Sequence, residues 1–128
     1  MKQLILTIEV KCHDGIGVRG RRTEVVMVPF SGRAYGELFT GRVLTGGIDT
    51  QKTDLLTGEC TLSARYMLEG TDCGGESCRI FIDNSIHDDE GWHPKLVTDS
   101  ALLAEWEELP LTATVDGADG GVTVRIYR

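Results

Sequence analysis

An aspartate that follows two adjacent glycines is the first feature of this sequence that could carry chemistry. The stretch LFTGRVLTGGIDTQ, residues 38–51, runs from an apolar, strand-like segment through Gly46 and Gly47 to Asp49. Glycines permit tight turns, and a turn aspartate commonly bonds its own backbone. The same carboxylate could instead lie beside a ligand. The stretch therefore predicts either a turn cap or a binding group at Asp49.

A second group of chemically active side chains lies in HDDEGWH, residues 87–93. It follows Cys73 and Cys78, and thiolates, imidazoles and carboxylates together can hold zinc. The spacing Cys-x4-Cys-x8-His-x5-His departs from that of zinc fingers, however, and a strand-like run separates the two halves. We therefore expect a solvated acidic loop and no metal. The loop side chains concerned are His87, Asp88, Asp89, Glu90 and His93.

The glycines of GIGVRG, residues 15–20, match the pattern of a dinucleotide-binding loop. That function needs a helix at the glycines, because the pyrophosphate binds the free N–H groups of a helix N-terminus. The following RRTEVVMVPF is β-branched and predicts a strand instead. The sequence also lacks a Walker loop, a nucleophile elbow and HExxH. We therefore predict no cofactor, and no motif identifies a catalytic residue.

The charge balance argues against nucleic acid as a partner. The formal net charge is −7, whereas binding to phosphates depends on an excess of Lys and Arg. No segment approaches the roughly 20 apolar residues of a membrane helix, and MKQLILTIEV alternates like a strand rather than a signal peptide. We expect a soluble cytoplasmic protein that binds neither nucleic acid nor a membrane. Whether it forms a homo-oligomer stays open.

Length and periodicity together predict one all-β domain over residues 1–128. Short runs with period-two alternation, such as residues 4–10 and 62–68, indicate half-buried strands. The connections are rich in Gly and Asp and too short for parallel crossovers, so the strands should pair antiparallel as a meander. About eight such strands would close into a barrel that holds packed side chains or one small ligand. A two-sheet sandwich is the alternative.

The segment TDSALLAEWEELP breaks the strand pattern. Its apolar residues, among them Leu103 and Trp106, recur at helical spacing before Pro110. This predicts a single short helix over residues 100–109. Because so short a helix is marginal alone, it should pack its apolar side on the sheet or across a barrel end.

Cysteine usage predicts reduced thiols. Four cysteines are too few for a disulfide scaffold in a chain of this length, and nothing in the sequence indicates export. Cys73 and Cys78 flank GGES between two strand-like runs, so they could face each other across a hairpin.

Five sequence blocks follow one another along the chain in a characteristic order: FSG, LFTGRVLTGGID, LSARYMLEGTD, HPKLVTDSALLAEW and VTVRIYR. In this order they resemble the small β-barrel proteins known as domain of unknown function 3237. The resemblance runs from Gly20 to the end, and its most specific parts are the steps Gly46–Asp49 and Ala64–Tyr66. It implies a closed antiparallel barrel with a small lumen, of a kind found in soluble bacterial and fungal proteins whose activity is mostly undefined.

These two steps suggest Asp49, Arg65 and Tyr66 as ligand-binding residues of such a lumen. If Asp49 and Arg65 both face the interior, their charges could orient a small polar or anionic ligand, with Tyr66 lining or closing the cavity. The alternation offers a structural alternative. Arg65 lies on the polar face of its strand and would then point to solvent, while Asp49 would cap its turn.

Three functions remain open at this point. The first is a small-molecule-binding barrel with an amphipathic lumen, and the second is a small isomerase or cyclase with Asp49 as the base. The third is a purely structural or oligomer-forming barrel. A salt bridge from Arg65 would hold the Asp49 carboxylate in its charged form and weaken it as a base, so that contact would favour the binding function.

Overall fold

The computed structural model describes residues 2–86 and 91–128 and shows an all-β protein. Within these residues every strand pairing is antiparallel, as predicted, and the helical content is one four-residue 3₁₀ helix, Ala104–Glu107. No helix in the described part of the chain is long and apolar enough to cross a bilayer. The strands are β1 (Leu4–Cys12), β2 (Ile16–Arg19), β3 (Thr23–Tyr35), β4 (Phe39–Val43), β5 (Ile48–Asp54), β6 (Cys60–Asp72), β7 (Ser77–Ile86), β8 (Lys95–Thr98), β9 (Thr112–Ala118) and β10 (Gly121–Tyr127).

The strands follow one another across the sheet as a meander, and the last hairpin returns to the first strand. β10 pairs with β1, so the order across the sheet is β8-β7-β6-β4-β3-β1-β10-β9. The long strand β3 pairs through its first half with β2 and β5 and through its second half with β1 and β4. β2 therefore continues the line of β1, β5 continues the line of β4, and the described strands occupy eight positions.

The two outermost positions of the sheet meet at one isolated bridge. Trp92, which precedes β8, pairs antiparallel with Ala113 of β9. The Ala113 N–H donates to the Trp92 carbonyl at 3.1 Å. This contact brings the edges of the sheet together at a single point.

One side of the sheet, the inner face, forms the core. On β7 the side chains of Ile80, Ile82 and Asn84 are buried, whereas the residues between them are not, as the period-two pattern requires. The core extends beneath the 3₁₀ helix, where Leu103 and Trp106 are 0% and 1% exposed. Other fully buried side chains are Leu6, Ile8, Phe39, Leu68 and Ile126.

The helix predicted over residues 100–109 is shorter and of another type. Its hydrogen bonds join residues three apart: the Leu103 N–H donates to the Ser100 carbonyl at 3.3 Å and the Trp106 N–H to the Leu103 carbonyl at 2.9 Å. Side chains three apart eclipse in a 3₁₀ turn, so this geometry buries Leu103 and Trp106 together. Leu103 and Trp106 pack inward as expected, whereas Leu102 of the same apolar stripe is exposed, and the predicted helix is longer than the observed one.

Three strands escaped the sequence analysis: β2, β5 and β8. The most consequential is β5, whose sequence IDTQKTD shows no apolar alternation. Its pairing with both β3 and β6 makes it an integral part of the sheet. Asp49 is therefore the second residue of a strand and lies beyond the glycine turn.

A buried carboxylate, Asp72, holds the β6–β7 turn to the segment before the 3₁₀ helix. Its Oδ1 accepts hydrogen bonds from the Gly74 and Glu76 N–H groups at 3.0 and 3.1 Å, and its Oδ2 accepts one from Ser100 Oγ at 2.7 Å. The bond from Ser100 lowers the pKa of Asp72 most, and the two N–H groups add to it against the opposing effect of desolvation. Folding therefore favours the charged form.

The lowered pKa of Asp72 predicts a defined loss of stability in acid. A carboxylate whose folded pKa lies below its unfolded value stabilises the protein above the unfolded pKa, and this contribution is lost as the pH falls through the folded pKa. Asp72→Asn should lower the melting temperature at neutral pH, and its difference from the wild type should shrink below about pH 4. Thermal unfolding across this range measures both effects. The exposed Asp116, 3.4 Å from Arg125, gives the control Asp116→Asn, and an equal change there would contradict the assignment.

Candidate functional site

Asp49 lies on the inner face. It stands directly opposite Val28 of β3 and Ala64 of β6, and opposed residues of antiparallel strands present their side chains on the same face. Ala64 packs against the core, so the half-buried Asp49 side chain shares that side. Its Oδ2 accepts a hydrogen bond from Gln51 Nε2 at 3.0 Å, and among the described residues this side-chain donor, not the glycine turn, is its hydrogen-bond partner. The geometry supports an interior carboxylate rather than a turn cap.

Arg65 lies on the other side of the sheet. It stands opposite Ile48 and Asp83, its side chain is 70% exposed, and its Nε lies 3.8 Å from Asp83 Oδ2. Because successive residues of a strand alternate between faces, the sheet separates this guanidinium from Asp49. The structure does not bring Arg65 together with Asp49 and Tyr66. A ligand-binding role for Arg65 stays a prediction, without a place in the interior.

Tyr66 is buried on the inner face, one step along β6 from Ala64. It is 4% exposed, and its ring packs edge-on against Phe30 with the ring centroids 5.1 Å apart and the planes at 74°. Burial raises the pKa of Tyr66 far above its ordinary value, so the hydroxyl stays protonated. Its oxygen has no hydrogen-bond partner in the described part of the protein. A buried hydroxyl of this kind calls for an explanation, because nearly all such groups are paired.

Asn84 is an inner-face residue that the sequence analysis did not single out. It belongs to β7, the strand that flanks β6 on the side away from β5, where it pairs with Ala64; it is 2% exposed. Its Oδ1 accepts no hydrogen bond from any residue in 2–86 or 91–128. The signal was present in CRIFIDN, where Asn84 falls in phase with Ile80 and Ile82 at a position that an apolar residue would normally occupy.

Four polar residues surround Ala64 on the inner face: Asp49, Gln51, Tyr66 and Asn84. They are called here the interior polar group. Asp49, Ala64 and Asn84 stand in register on three neighbouring strands. The Cα atoms of Asp49 and Asn84 are therefore two strand spacings, about 10 Å, apart. Tyr66 lies about 7 Å from Ala64 along the same strand. Ala64, which stands between Asp49 and Asn84, contributes only a methyl group to the inner face.

Burial changes along the inner face on either side of this group. Toward the 3₁₀ helix, Leu68 and Ile80 are 0% exposed. In the opposite direction Leu62 and Ile86, which pair with each other, are only half-buried. The inner face is therefore closely packed at one end and accessible at the other, and the interior polar group lies between the two.

The glycine pattern of residues 15–20 belongs to strand β2 beside this accessible end. Gly17 pairs with Val26, and a Cβ added to it would lie 2.8 Å from the Val25 carbonyl oxygen and 3.2 Å from Val26 Cγ2. The strand that was predicted after these glycines is present as β3. A phosphate-binding helix N-terminus does not form at these residues.

Open concavities also occur on the outer face. One of about 750 Å³ is lined by Arg42, Glu69 and Arg79, and Glu69 lies 3.6 and 2.9 Å from the two guanidinium groups. Another, of about 440 Å³, is lined by residues that include Met27 and Arg65. With Asp99, which also lines the first concavity, its two positive and two negative charges balance. Neither concavity is lined by a buried polar atom that lacks a partner in the described residues.

The structure also locates the thiols and part of the predicted acidic loop. All four cysteines are free; Cys78 is buried opposite Gly70, whereas Cys73 is exposed in the turn. Residues 87–90, with His87, Asp88, Asp89 and Glu90, lie outside the described residues. Among the residues that are described, no three His, Cys, Asp or Glu side chains form a group able to hold a metal.

Comparison with known proteins identifies relatives of the fold. Residues 2–96 match the family described as "Protein of unknown function (DUF3237)". A protein of unknown function from Clostridium acetobutylicum ATCC 824 is 22% identical, with a TM-score of 0.81 over 99% of this chain and 95% of that one. A β-barrel-like protein from Acinetobacter baumannii AYE is 16% identical, with a TM-score of 0.70 over 99% and 95% of the two chains.

A third similar structure is that of an enzyme from Penicillium herquei. It is 11% identical, with a TM-score of 0.73 over 99% of this chain and 92% of that one. The TM-scores show that the three structures share the fold of this chain. No curated protein matches the sequence.

Proposed function

This chain belongs to the DUF3237 family, and from that premise we propose that it is a closed β-barrel that binds a small molecule around its interior polar group. Closure is supported by the similarity to a β-barrel-like protein and by the bridge between Trp92 and Ala113, where the outermost sheet positions meet. A barrel of about eight strands has an interior that holds packed side chains or one small ligand.

The observation that carries the proposal is that two of the three buried polar side-chain atoms without partners in the described residues, Tyr66 Oη and Asn84 Oδ1, lie beside Ala64 on the inner face; the third, Trp106 Nε1, is in the 3₁₀ helix. A buried polar group left unpaired costs about 1–3 kcal/mol. Both atoms lie on the same face as the Asp49 carboxylate, at the boundary between the packed and accessible parts of the interior. A bound molecule with polar groups of its own would complete these hydrogen bonds, and the apolar neighbours would contact its carbon skeleton.

Tyr66→Phe should separate binding from folding. The substitution removes the unpaired hydroxyl and keeps the ring that packs on Phe30, so we expect the free energy of unfolding to stay equal or to rise by about 1 kcal/mol. The small molecule that stays bound when the protein is purified is called here the retained molecule. Loss of one hydrogen bond should weaken its binding about tenfold. Native mass spectrometry of protein from its own host identifies that molecule, and calorimetry and urea unfolding measure the two effects.

Tyr35 provides a matched control for this test. Its hydroxyl donates to Glu9 Oε1 at 3.1 Å on the outer face, so Tyr35→Phe removes a hydroxyl that is far from the interior. Binding should be unchanged in this variant. A Tyr66→Phe protein that is destabilised yet binds like the wild type would assign the hydroxyl to the fold and refute the proposal.

Proton transfer by Asp49, as in an isomerase or cyclase, is a second candidate function. It is favoured by the position of Arg65, because the neighbour that would have neutralised Asp49 pairs instead with Asp83 on the outer face. The hydrogen-bond partner of the carboxylate is the neutral amide of Gln51. A half-buried carboxylate next to a bound molecule can act as a general base. The similar fold of an enzyme from Penicillium herquei is consistent with this candidate.

Asp49→Asn distinguishes the two functions, because asparagine keeps the shape of the side chain and cannot act as the base. For an enzyme, conversion of the retained molecule, or its exchange of hydrogen with heavy water, should slow at least tenfold. For a binding protein, no such reaction should occur in the wild type. Mass spectrometry of the molecule after incubation with each protein gives the answer directly.

A further inference from the structure

The proposed interior site, on which this inference rests, also restricts the chemistry of its ligand. We infer that the ligand is a neutral or cationic molecule that presents hydrogen-bond donors on an apolar skeleton, and that anions are excluded.

The unfilled acceptors of the interior polar group are Asn84 Oδ1 and the free lone pairs of the Asp49 carboxylate, while the Asn84 and Gln51 amides also carry N–H donors. Asn84 Oδ1 can only accept a hydrogen bond, and an ionised Asp49 carboxylate likewise has no proton to donate. Gln51 Nε2 fills one acceptor position of Asp49 and leaves other lone pairs of the two carboxylate oxygens. The Tyr66 hydroxyl can donate or accept. A molecule that completes this set must therefore bring N–H or O–H groups, at least one of them for Asn84.

The charges around the site disfavour an anion. On the three strands that carry Asp49, Ala64 and Asn84, the neighbouring cations Lys52 and Arg65 are in register with outer-face residues. An anion beside Asp49 would place two like charges together in a partly buried space, which disfavours both. The sequence analysis allowed a polar or anionic ligand, and its anionic form depended on an interior Arg65; the structure gives Arg65 an outer position.

One further ion pair, on β2 and β3, lies on the inner face. It does not offset the negative charge of Asp49. Arg19 stands opposite Glu24, and its Nη1 lies 3.7 Å from the Glu24 carboxylate. Glu24 is four residues from Val28, the partner of Asp49, which corresponds to about 13 Å along the strand. The guanidinium is thus both neutralised and distant.

Apolar side chains flank the polar groups toward the accessible end. Val26 and Leu62 stand on either side of Gln51, and Val28 stands beside Asp49, all three half-buried. Phe30 packs against Tyr66 on the same face. These contacts suit a compact carbon skeleton, and the acceptors select the donors attached to it.

Three probes with one common ring test the inference: cis-1,3-cyclohexanediol, its dimethyl ether and cyclohexanecarboxylate. Each is titrated into the isotope-labelled full chain and followed by NMR at the Ala64 methyl group and the Asn84 side-chain amide. The diol should perturb both signals and bind at least tenfold more tightly than the ether, which lacks donors, and than the carboxylate, which is an anion. Asp49→Asn should reduce the preference for diol over carboxylate about tenfold, and Asp83→Asn on the outer face should leave it unchanged.

The outcomes separate the ligand class from the site itself. Carboxylate or ether that perturbs Ala64 and Asn84 with an affinity equal to that of the diol overturns the donor preference and leaves interior binding intact. An unchanged preference in Asp49→Asn removes Asp49 as its source and also overturns the inference. Absence of any perturbation at Ala64 and Asn84 by all three probes contradicts both the ligand class and the proposed interior site.

Discussion

Replacing Trp106 by alanine should lower the free energy of unfolding by about 3–5 kcal/mol, the range for removal of a large aromatic side chain from a core. The indole is 1% exposed and lies at the closely packed end of the inner face. The 3₁₀ helix that carries it has no side-chain hydrogen bond at its N-cap. Burial of Trp106 and Leu103 therefore attaches the β8–β9 connection to the sheet, together with the hydrogen bond that Ser100 donates to Asp72. Urea denaturation measures the loss.

Leu102 is the matched control for Trp106→Ala because it lies in the same connection but is 52% exposed. Leu102→Ala should change the free energy of unfolding by about 0.5 kcal/mol or less. Trp106→Phe should cost less than Trp106→Ala, since Nε1 has no hydrogen-bond partner in the described structure and its loss leaves nothing unpaired. Equal effects of Leu102→Ala and Trp106→Ala would show that the indole does not hold this end of the protein.

The sequence predicted the two faces of β6 because apolar and polar residues alternate strongly along this strand. Leu62, Ala64, Tyr66 and Leu68 share a phase, and the structure places all of them inside while Arg65 points outward. The structural alternative for Arg65 was thus available from period two alone. What alternation could not supply was the partner of each strand, because pairing between β10 and β1 depends on contacts far apart in the chain.

Strand β5 shows why the site itself was only partly predictable. A strand is recognised by an apolar inner face, but the inner residues of β5 include Asp49 and Gln51, so its periodicity is hidden. The same polar residues that obscure the strand are the ones that lie in the interior. Asn84 was detectable by the converse argument, as a polar residue in phase with an apolar face. Departures from the local pattern commonly mark functional positions, and both departures here meet beside Ala64.

Ala64→Phe should abolish binding in the interior while the protein still folds. Ala64 stands between Asp49 and Asn84 in register, so a phenyl ring at this position would occupy the space between the polar groups. Overpacking typically costs about 1–3 kcal/mol, and the accessible end of the inner face should keep the cost near the lower value. We expect affinity for the retained small molecule to fall by more than about 100-fold, because the clash removes every interior contact at once. Calorimetry measures the binding, and urea unfolding checks the fold.

Ser63→Phe supplies the same added bulk on the opposite side of the same strand. Ser63 stands opposite Thr50 and Ser85 and accepts a hydrogen bond from Ser85 Oγ at 3.2 Å on the outer face. This variant should lose some stability and keep its affinity, so that only the side on which the ring is placed decides binding. If Ala64→Phe bound normally and became more stable, the interior would be a space that side chains can fill without functional loss. The protein would then be a structural barrel, and the unpaired Tyr66 and Asn84 atoms would need another explanation.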